Sequence, residues 1–138
     1  MIIFSKFYND WHIFKEKVRD AFSEIFSLLS ARLYLAGVLF INTTLWVFSG
    51  LFYRQVNGEL IVLHYNVDFG VDFFGRAENI FVIPAIGLFF LAFNFFLLML
   101  FADKKNFNFI CHLVLGSTLL ANILLSLSLG PIYLINFT

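Results

Sequence analysis

The stretch IFVIPAIGLFFLAFNFFLLMLFA, residues 80–102, carries no charged side chain, and its one polar side chain is Asn94. About 20 apolar residues, rising about 1.5 Å each as a helix, cover the roughly 30 Å of bilayer hydrocarbon, so this stretch reads as a membrane span. Runs of the same kind occupy residues 33–52 and 109–129, again without Asp, Glu, Lys or Arg. With 61% hydrophobic and 13% charged residues, the 138-residue chain lies outside the soluble range, in which roughly a quarter of residues are charged. A bundle of three such helices has too few polar residues for a soluble outer shell. In lipid, by contrast, each helix satisfies its own backbone polar groups. The expected fold is an all-α integral membrane protein with spans at 33–52, 80–102 and 109–129.

Charge sets the expected orientation. Of nine Lys and Arg, Lys6, Lys15, Lys17, Arg19 and Arg32 precede the first span, and Lys104 and Lys105 lie between the second and third. Only Arg54 and Arg76 fall in the connection 53–79. The positive-inside rule then puts the N-terminus in the cytoplasm, the connection 53–79 outside and the C-terminus outside, in an inner (plasma) membrane. The first 32 residues hold Lys15, Glu16, Lys17, Arg19, Asp20 and Glu24 and lack the layout of a cleavable signal, so the first span is expected to remain as an anchor. Zero net charge gives no basis for nucleic-acid binding. The single Cys111 lies inside a span and belongs to no disulfide framework.

Residues 9–30 repeat Phe14, Val18, Phe22, Ile25 and Leu29 at helical spacing, opposite Lys15, Glu16, Arg19, Ser23, Ser27 and Ser30. This pattern predicts an N-terminal amphipathic helix lying at the interface, with Trp11 at headgroup level, or a helix that docks a protein partner. Residues 103–106 allow only a tight reversal, so the second and third spans form an antiparallel hairpin. Gly130 and Pro131 are expected to stop the third helix. Pro84 either opens the second span or kinks a helix that began near Arg76.

Each span carries an amide: Asn42, Asn94 and Asn122. Counted from the cytoplasmic ends, Asn42 and Asn94 reach the depth of Ser117 and Thr118, with Asn122 farther out. A polar layer joining the helices is expected, each interhelical bond contributing about 0.6 to 2 kcal/mol, with Gly37, Gly87, Gly116 and Ala121 permitting close approach. The reading favoured over a transport path is packing, because no carboxylate or Lys lies in mid-span. His112, near the end of the third span, is read as structural.

The connection 53–79 holds Asn57-Gly58 between Arg54-Gln55-Val56 and Glu59-Leu60-Ile61-Val62, a strong hairpin signal. Beyond it, alternation puts Ile61, Leu63, Tyr65, Val67 and Phe69 on one face and His64, Asn66 and Asp68 on the other. His64, Asp68 and Asp72 make a one-His, two-carboxylate set of a kind that suits a hard or borderline metal ion if a fold brings them together. An extended strand aligns His64 with Asp68 and leaves Asp72 to the turn at Gly70. Alternatively Asn66, Asp68, Gly70, Asp72 and Gly75 set turns, and His64 bonds backbone in an ordered cap. A third reading makes His64, Asn66, Asp68 and Asp72 a surface that recognises a ligand or peptide.

The run from His64 to Arg76 resembles the short bacterial membrane domain of SdpI-type toxin-immunity proteins, on His64, Tyr65, Asn66, Asp72, Phe74 and Gly75 and on their position between the first two spans. Gly70 falls one place later than in that pattern, and Arg76 stands where the pattern ends in a small residue and Lys. The resemblance implies sensing or neutralising an extracytoplasmic peptide or toxin and assigns no chemistry.

No His-Glu-x-x-His pair, nucleophile elbow or phosphate-cradling glycine loop is present, so neither an enzyme nor a cofactor is expected. The expected function is therefore non-catalytic: peptide or toxin sensing or immunity, or a small subunit of a membrane assembly. The partners are the lipid bilayer and a membrane or extracytoplasmic protein or peptide. An oligomeric permease or channel component is the second reading, and a metal-dependent enzyme at the outer face is the third.

Overall fold

The computed structural model describes residues 2–56, 59–66, 68 and 70–137, and for residues 2–9, 64–66, 71 and 72 it describes the backbone alone. The elements run α1 (Ile2–Ser27), α2 (Leu29–Val56), β1 (Leu60–Asn66), β2 (Gly70–Arg76), a 3-10 turn (Ala77–Phe81), α3 (Val82–Phe101) and α4 (Phe107–Phe137). Among the described residues three helical stretches are long and apolar enough to cross a membrane: Leu29–Val56, Ala77–Phe101 and Phe107–Phe137. They point to a membrane location.

The helix expected over 9–30 begins earlier and ends at Ser27, and Leu29 and Ser30 belong to α2. The break at Leu28 is hydrogen-bonded on both sides: its N–H donates to Ile25 O at 3.4 Å and its carbonyl accepts from Arg32 N–H at 3.3 Å. The chain turns here because α1 buries Ala21 and Ile25 in one cluster with Leu98, Ala102, Phe107 and Cys111, at the α3–α4 turn. Phe22 also sets its ring edge-on to Phe95, with centroids 5.3 Å apart.

Pro84 is the third residue of α3, which continues directly from the 3-10 turn, so the helical span begins just after Arg76 and Pro84 lies inside it and does not open it. The turn between α3 and α4 is closed by Lys104 N–H to Phe101 O at 3.0 Å and Phe107 N–H to Lys104 O at 2.9 Å, as the short connection predicts.

Two expectations fail at the other end of the bundle. Helix α4 runs through Gly130 and Pro131 to Phe137. Local sequence favours a stop, but Ile132 packs into a second core with Phe52, Ile61, Ala77 and Ile80, and this tertiary burial carries the helix on. The hairpin also lies elsewhere than at Asn57-Gly58. Those two residues lie outside the described set, but Arg54, Gln55 and Val56 before them close α2, so no strand precedes them.

The strands that do pair are β1 and β2, antiparallel, from Leu60 opposite Arg76 to Asn66 opposite Gly70. The reversal contains Asp68, and Gly70 opens β2 at φ +77°, a left-handed conformation that glycine adopts without a Cβ penalty. The single long strand expected over 61–69 thus becomes a strand and a turn. Its alternation is broken by irregular register between Val62, His64 and Tyr65.

Asn136, near the end of α4, fastens this sheet. Its Oδ1 accepts from Val62 N–H at 2.9 Å, and its Nδ2 donates to Val62 O at 2.9 Å and to Ile132 O at 2.8 Å. One side chain thereby serves as a ladder rung along the outer edge of β1. Replacing Asn136 by Leu is expected to accelerate amide exchange at Val62 roughly tenfold, the effect of losing one net hydrogen bond. Hydrogen–deuterium exchange mass spectrometry reads this directly, and unchanged protection of β1 would contradict the rung.

Candidate functional site

Two polar features stand out from the apolar bundle: an amide layer between the helices and the hairpin at one end. The amide layer rests on Asn42 of α2 and Asn122 of α4, both buried. Asn42 Nδ2 donates to Asn122 Oδ1 at 3.1 Å and to Pro84 O at 3.0 Å. Asn122 Nδ2 donates to Thr118 O at 3.0 Å and reaches Gly87 O at 3.5 Å. Helix α3 therefore joins through backbone carbonyls rather than through Asn94.

Asn94 forms a separate rung nearer the α3–α4 turn, donating to Thr118 Oγ1 at 2.8 Å, while Thr118 Oγ1 donates to Val114 O at 2.9 Å. The expected depths shift because α2 begins at Leu29, not at residue 33, which carries Asn42 a full turn deeper, to the level of Asn122. Of the three glycines among the small residues expected to permit close approach, Gly87 is the one that matters. A Cβ there would lie 2.5 Å from Asn122 Oδ1 and 2.6 Å from Asn42 Nδ2, whereas one at Gly37 would meet Leu119 at an ordinary 3.6 Å. The nearest atom to a Cβ at Gly116 would be Tyr34 Oη, at 4.0 Å. His112 sits beside that same tyrosine, with its Nδ1 3.4 Å from Tyr34 Oη.

At the hairpin, the backbone sets His64 of β1 opposite Phe73 and Asn66 opposite Gly70, with Asp72 between Val71 and Phe73 on β2. Asp68 occupies the turn between the strands and is exposed, so it does not share a strand with His64 as expected. The register gathers His64, Asn66, Asp68 and Asp72 into the tip of one small hairpin. The side chains of His64, Asn66 and Asp72 lie outside the described set. Among the described residues no group of three or more His, Cys, Asp or Glu is placed to hold a metal ion.

The base of the hairpin is packed: Ile61 and Gly75 are buried, and a Cβ at Gly75 would collide with the Leu63 side chain and lie 2.8 Å from Asn79 Nδ2. Phe73 and Phe74 are both exposed. Arg76 turns to Glu78 in a two-point contact, at 3.1 and 3.0 Å.

Sequence reasoning missed Asn136 and Ser49. The signal for Asn136 was an amide beyond a Gly-Pro pair that was read as the end of the helix. Ser49 is fully buried on α2, and its Oγ has no hydrogen-bond partner among the described residues.

Fold and layers together define a helical membrane protein with three candidate spans and a two-stranded cap. Comparison with family models, with curated proteins and with solved structures found no match to the chain.

Two opposite stability changes follow. Gly87→Ala forces the Asn42–Asn122 pair apart and is expected to cost about 1–3 kcal/mol, the usual range for overpacking. Ser49→Ala removes a buried hydroxyl that no partner compensates and is expected to stabilise by about 1 kcal/mol. Reversible unfolding in bicelles measures both, and a neutral Gly87→Ala would mean that the amide layer tolerates separation.

Proposed function

We propose that this protein is a non-catalytic bacterial-type plasma-membrane protein whose hairpin faces the exterior and recognises an extracytoplasmic peptide, as its resemblance to SdpI-type immunity proteins implies. The observation that carries the reading is the edge of β2. Among the described residues β2 pairs with β1 alone, while the outer edge of β1 is occupied at Val62 by Asn136. A fixed two-stranded sheet with one open edge is a template for an extended peptide, which adds as a strand through main-chain bonds and is selected by side-chain contacts. Phe73 and Phe74 would supply those contacts on the two faces of β2, and the tip with His64, Asn66, Asp68 and Asp72 would supply polar selection.

Orientation is argued from charge. Lys104 and Lys105 lie in the α3–α4 turn, Arg32 in the first turn of α2, and Lys15, Lys17 and Arg19 on α1, whose Ala21 and Ile25 pack at that turn, whereas Arg54 and Arg76 flank the hairpin. This imbalance favours the α1 end in the cytoplasm. The interfacial role of α1 is supported by its exposed Trp11, Phe14, Phe22 and Phe26 and by Lys15 Nζ, 5.4 Å from the Trp11 ring.

Both parts can be tested in intact cells. Cys111 is the single native cysteine and is buried, so Phe73→Cys introduces one accessible thiol. A membrane-impermeant maleimide is expected to label it from outside, and labelling only after lysis would reject the orientation. A photo-crosslinking residue at position 74 is expected to capture an extracytoplasmic polypeptide, and one at position 96, on the lipid-exposed face of α3, is not. Asp72→Ala at equal expression should reduce that capture, and equal polypeptide yields from positions 74 and 96 would reject recognition by the hairpin.

A further inference from the structure

A groove of about 480 Å³ opens between α2 and α4 on the hairpin side of the amide layer, walled by Thr44, Phe48, Gln55, Ser126, Gly130 and Tyr133 among others. Its size lies within the roughly 300–1,000 Å³ of pockets that hold small molecules. Two of the three hydroxyls in its wall have given their hydrogens to the helix backbone. Thr44 Oγ1 donates to Phe40 O at 2.9 Å, and Ser126 Oγ donates to Asn122 O at 2.9 Å. What the wall presents is hydrocarbon, on a surface that itself faces the bilayer.

A second recess adjoins the groove at Gln55. It is smaller, about 190 Å³, and is also lined by Glu59, Leu60 and Asn136 among others. Asn136 is committed there to Val62 and Ile132. The polar groups left to a guest are the Gln55 amide, the Tyr133 hydroxyl and the Glu59 carboxylate. Glu59 makes no ion pair among the described residues. An apolar groove beside a recess that holds an unpaired carboxylate and an amide donor complements an amphiphile that carries a hydrocarbon tail, an ammonium donor and a phosphate.

We infer that the α2–α4 groove is a binding site for one phospholipid of the ethanolamine class, from the leaflet on the hairpin side. One acyl chain lies along Phe48 and Gly130. The headgroup ammonium donates to Glu59, and the phosphate accepts from the Gln55 amide. This site goes beyond peptide recognition and depends on neither the open edge of β2 nor the orientation of the chain.

Gly130 makes the idea testable. A Cβ there meets nothing within 4 Å, so a bulky side chain enters the groove without disturbing the helices. Gly50, outside the groove wall, is equally unobstructed and serves as the control. Full-length protein is reconstituted in nanodiscs of equal palmitoyl-oleoyl phosphatidylethanolamine and phosphatidylglycerol, then released and weighed by native mass spectrometry. Wild type is expected to retain one phosphatidylethanolamine, enriched roughly tenfold over phosphatidylglycerol, the discrimination that one charge-assisted hydrogen bond provides.

Gly130→Phe should lose the retained lipid and Gly50→Phe should keep it, with unchanged circular dichroism in both. Glu59→Gln should keep a lipid and lose the preference between headgroups. Retention by Gly130→Phe equal to that of Gly50→Phe would overturn the site, and so would a wild type that retains no lipid. Equal retention of both lipids by wild type would overturn the assignment of the headgroup. A dimer mass that Gly130→Phe abolishes would instead assign the groove to a second copy of the chain.

Discussion

The hydrogen bond between Asn42 and Asn122, closed against the backbone of α3 at Pro84 and Gly87, is the constraint on which the rest of the bundle depends. Lipid tails are as apolar as leucine, so helices inside a bilayer gain little from meeting apolar face to apolar face. What fixes their relative depth is a polar group with nowhere else to go and a backbone close enough to receive it. Asn42 spends both amide hydrogens this way, one on a side chain of α4 and one on a carbonyl of α3. The absence of a side chain at Gly87 creates the approach, because a methyl group there would occupy the space of the amides themselves. Sliding any of the three helices by a turn would break a bond that hydrocarbon cannot replace.

The amide layer also divides the interior. On one side lies the larger apolar cluster, where Ala21 and Ile25 of α1 meet Leu98, Ala102, Phe107 and Cys111. On the other lies the smaller cluster of Phe52, Ile61, Ala77 and Ile80, which exists because the hairpin folds down onto the helix ends. A two-stranded sheet is marginal by itself. Here it is held by burial of Ile61 beneath it and by Asn136 alongside it, and Asn136 reaches Val62 because α4 continues past Pro131. At about 1.5 Å per residue the 31 residues of α4 extend roughly 46 Å, well beyond the hydrocarbon. The final turns of α4 therefore serve as a post for the sheet.

The spans were legible because nothing competes with an uncharged run of such length: residues 80–102, 33–52 and 109–129 each lie within or close to a helix of the structure. The ends were not legible, since apolar content sets the membrane-crossing portion while tertiary packing sets where the helix stops. Leu29 to Arg32 extend α2 below its apolar run, and the resulting displacement of Asn42 is why it pairs with Asn122 and does not stand level with Asn94 and Thr118. Asn57-Gly58 and Gly130-Pro131 are strong local signals, and each misled for the same reason. A turn dipeptide reports what the chain permits, and the cluster around Phe52, Ile80 and Ile132 decides which permission is used. In the hairpin a turn at Gly70 was legible from the glycine itself, and the reversal after Asn66 uses it at φ +77°. Asn136 was beyond reach, because its partner lies 74 residues away on a strand whose register no local pattern specifies.

The amide layer and the hairpin together explain why a groove sits where it does. Below the layer, Asn42 and Asn122 draw α2 and α4 to within one hydrogen bond of each other, and side chains such as Val38 and Leu115 fill the gap completely. Above it, the wall of α4 carries Ser126 and Gly130, which fill less, while the ends of both helices are held by the sheet that Asn136 and Ile61 anchor. A bundle free to relax would close over this space. One fixed by amides at mid-depth and by a rung at the end cannot close without losing a buried hydrogen bond, so the void persists as a feature of the fold. Hydrocarbon from the surrounding bilayer is its natural filling, because a dry gap forfeits dispersion contacts along its whole lining.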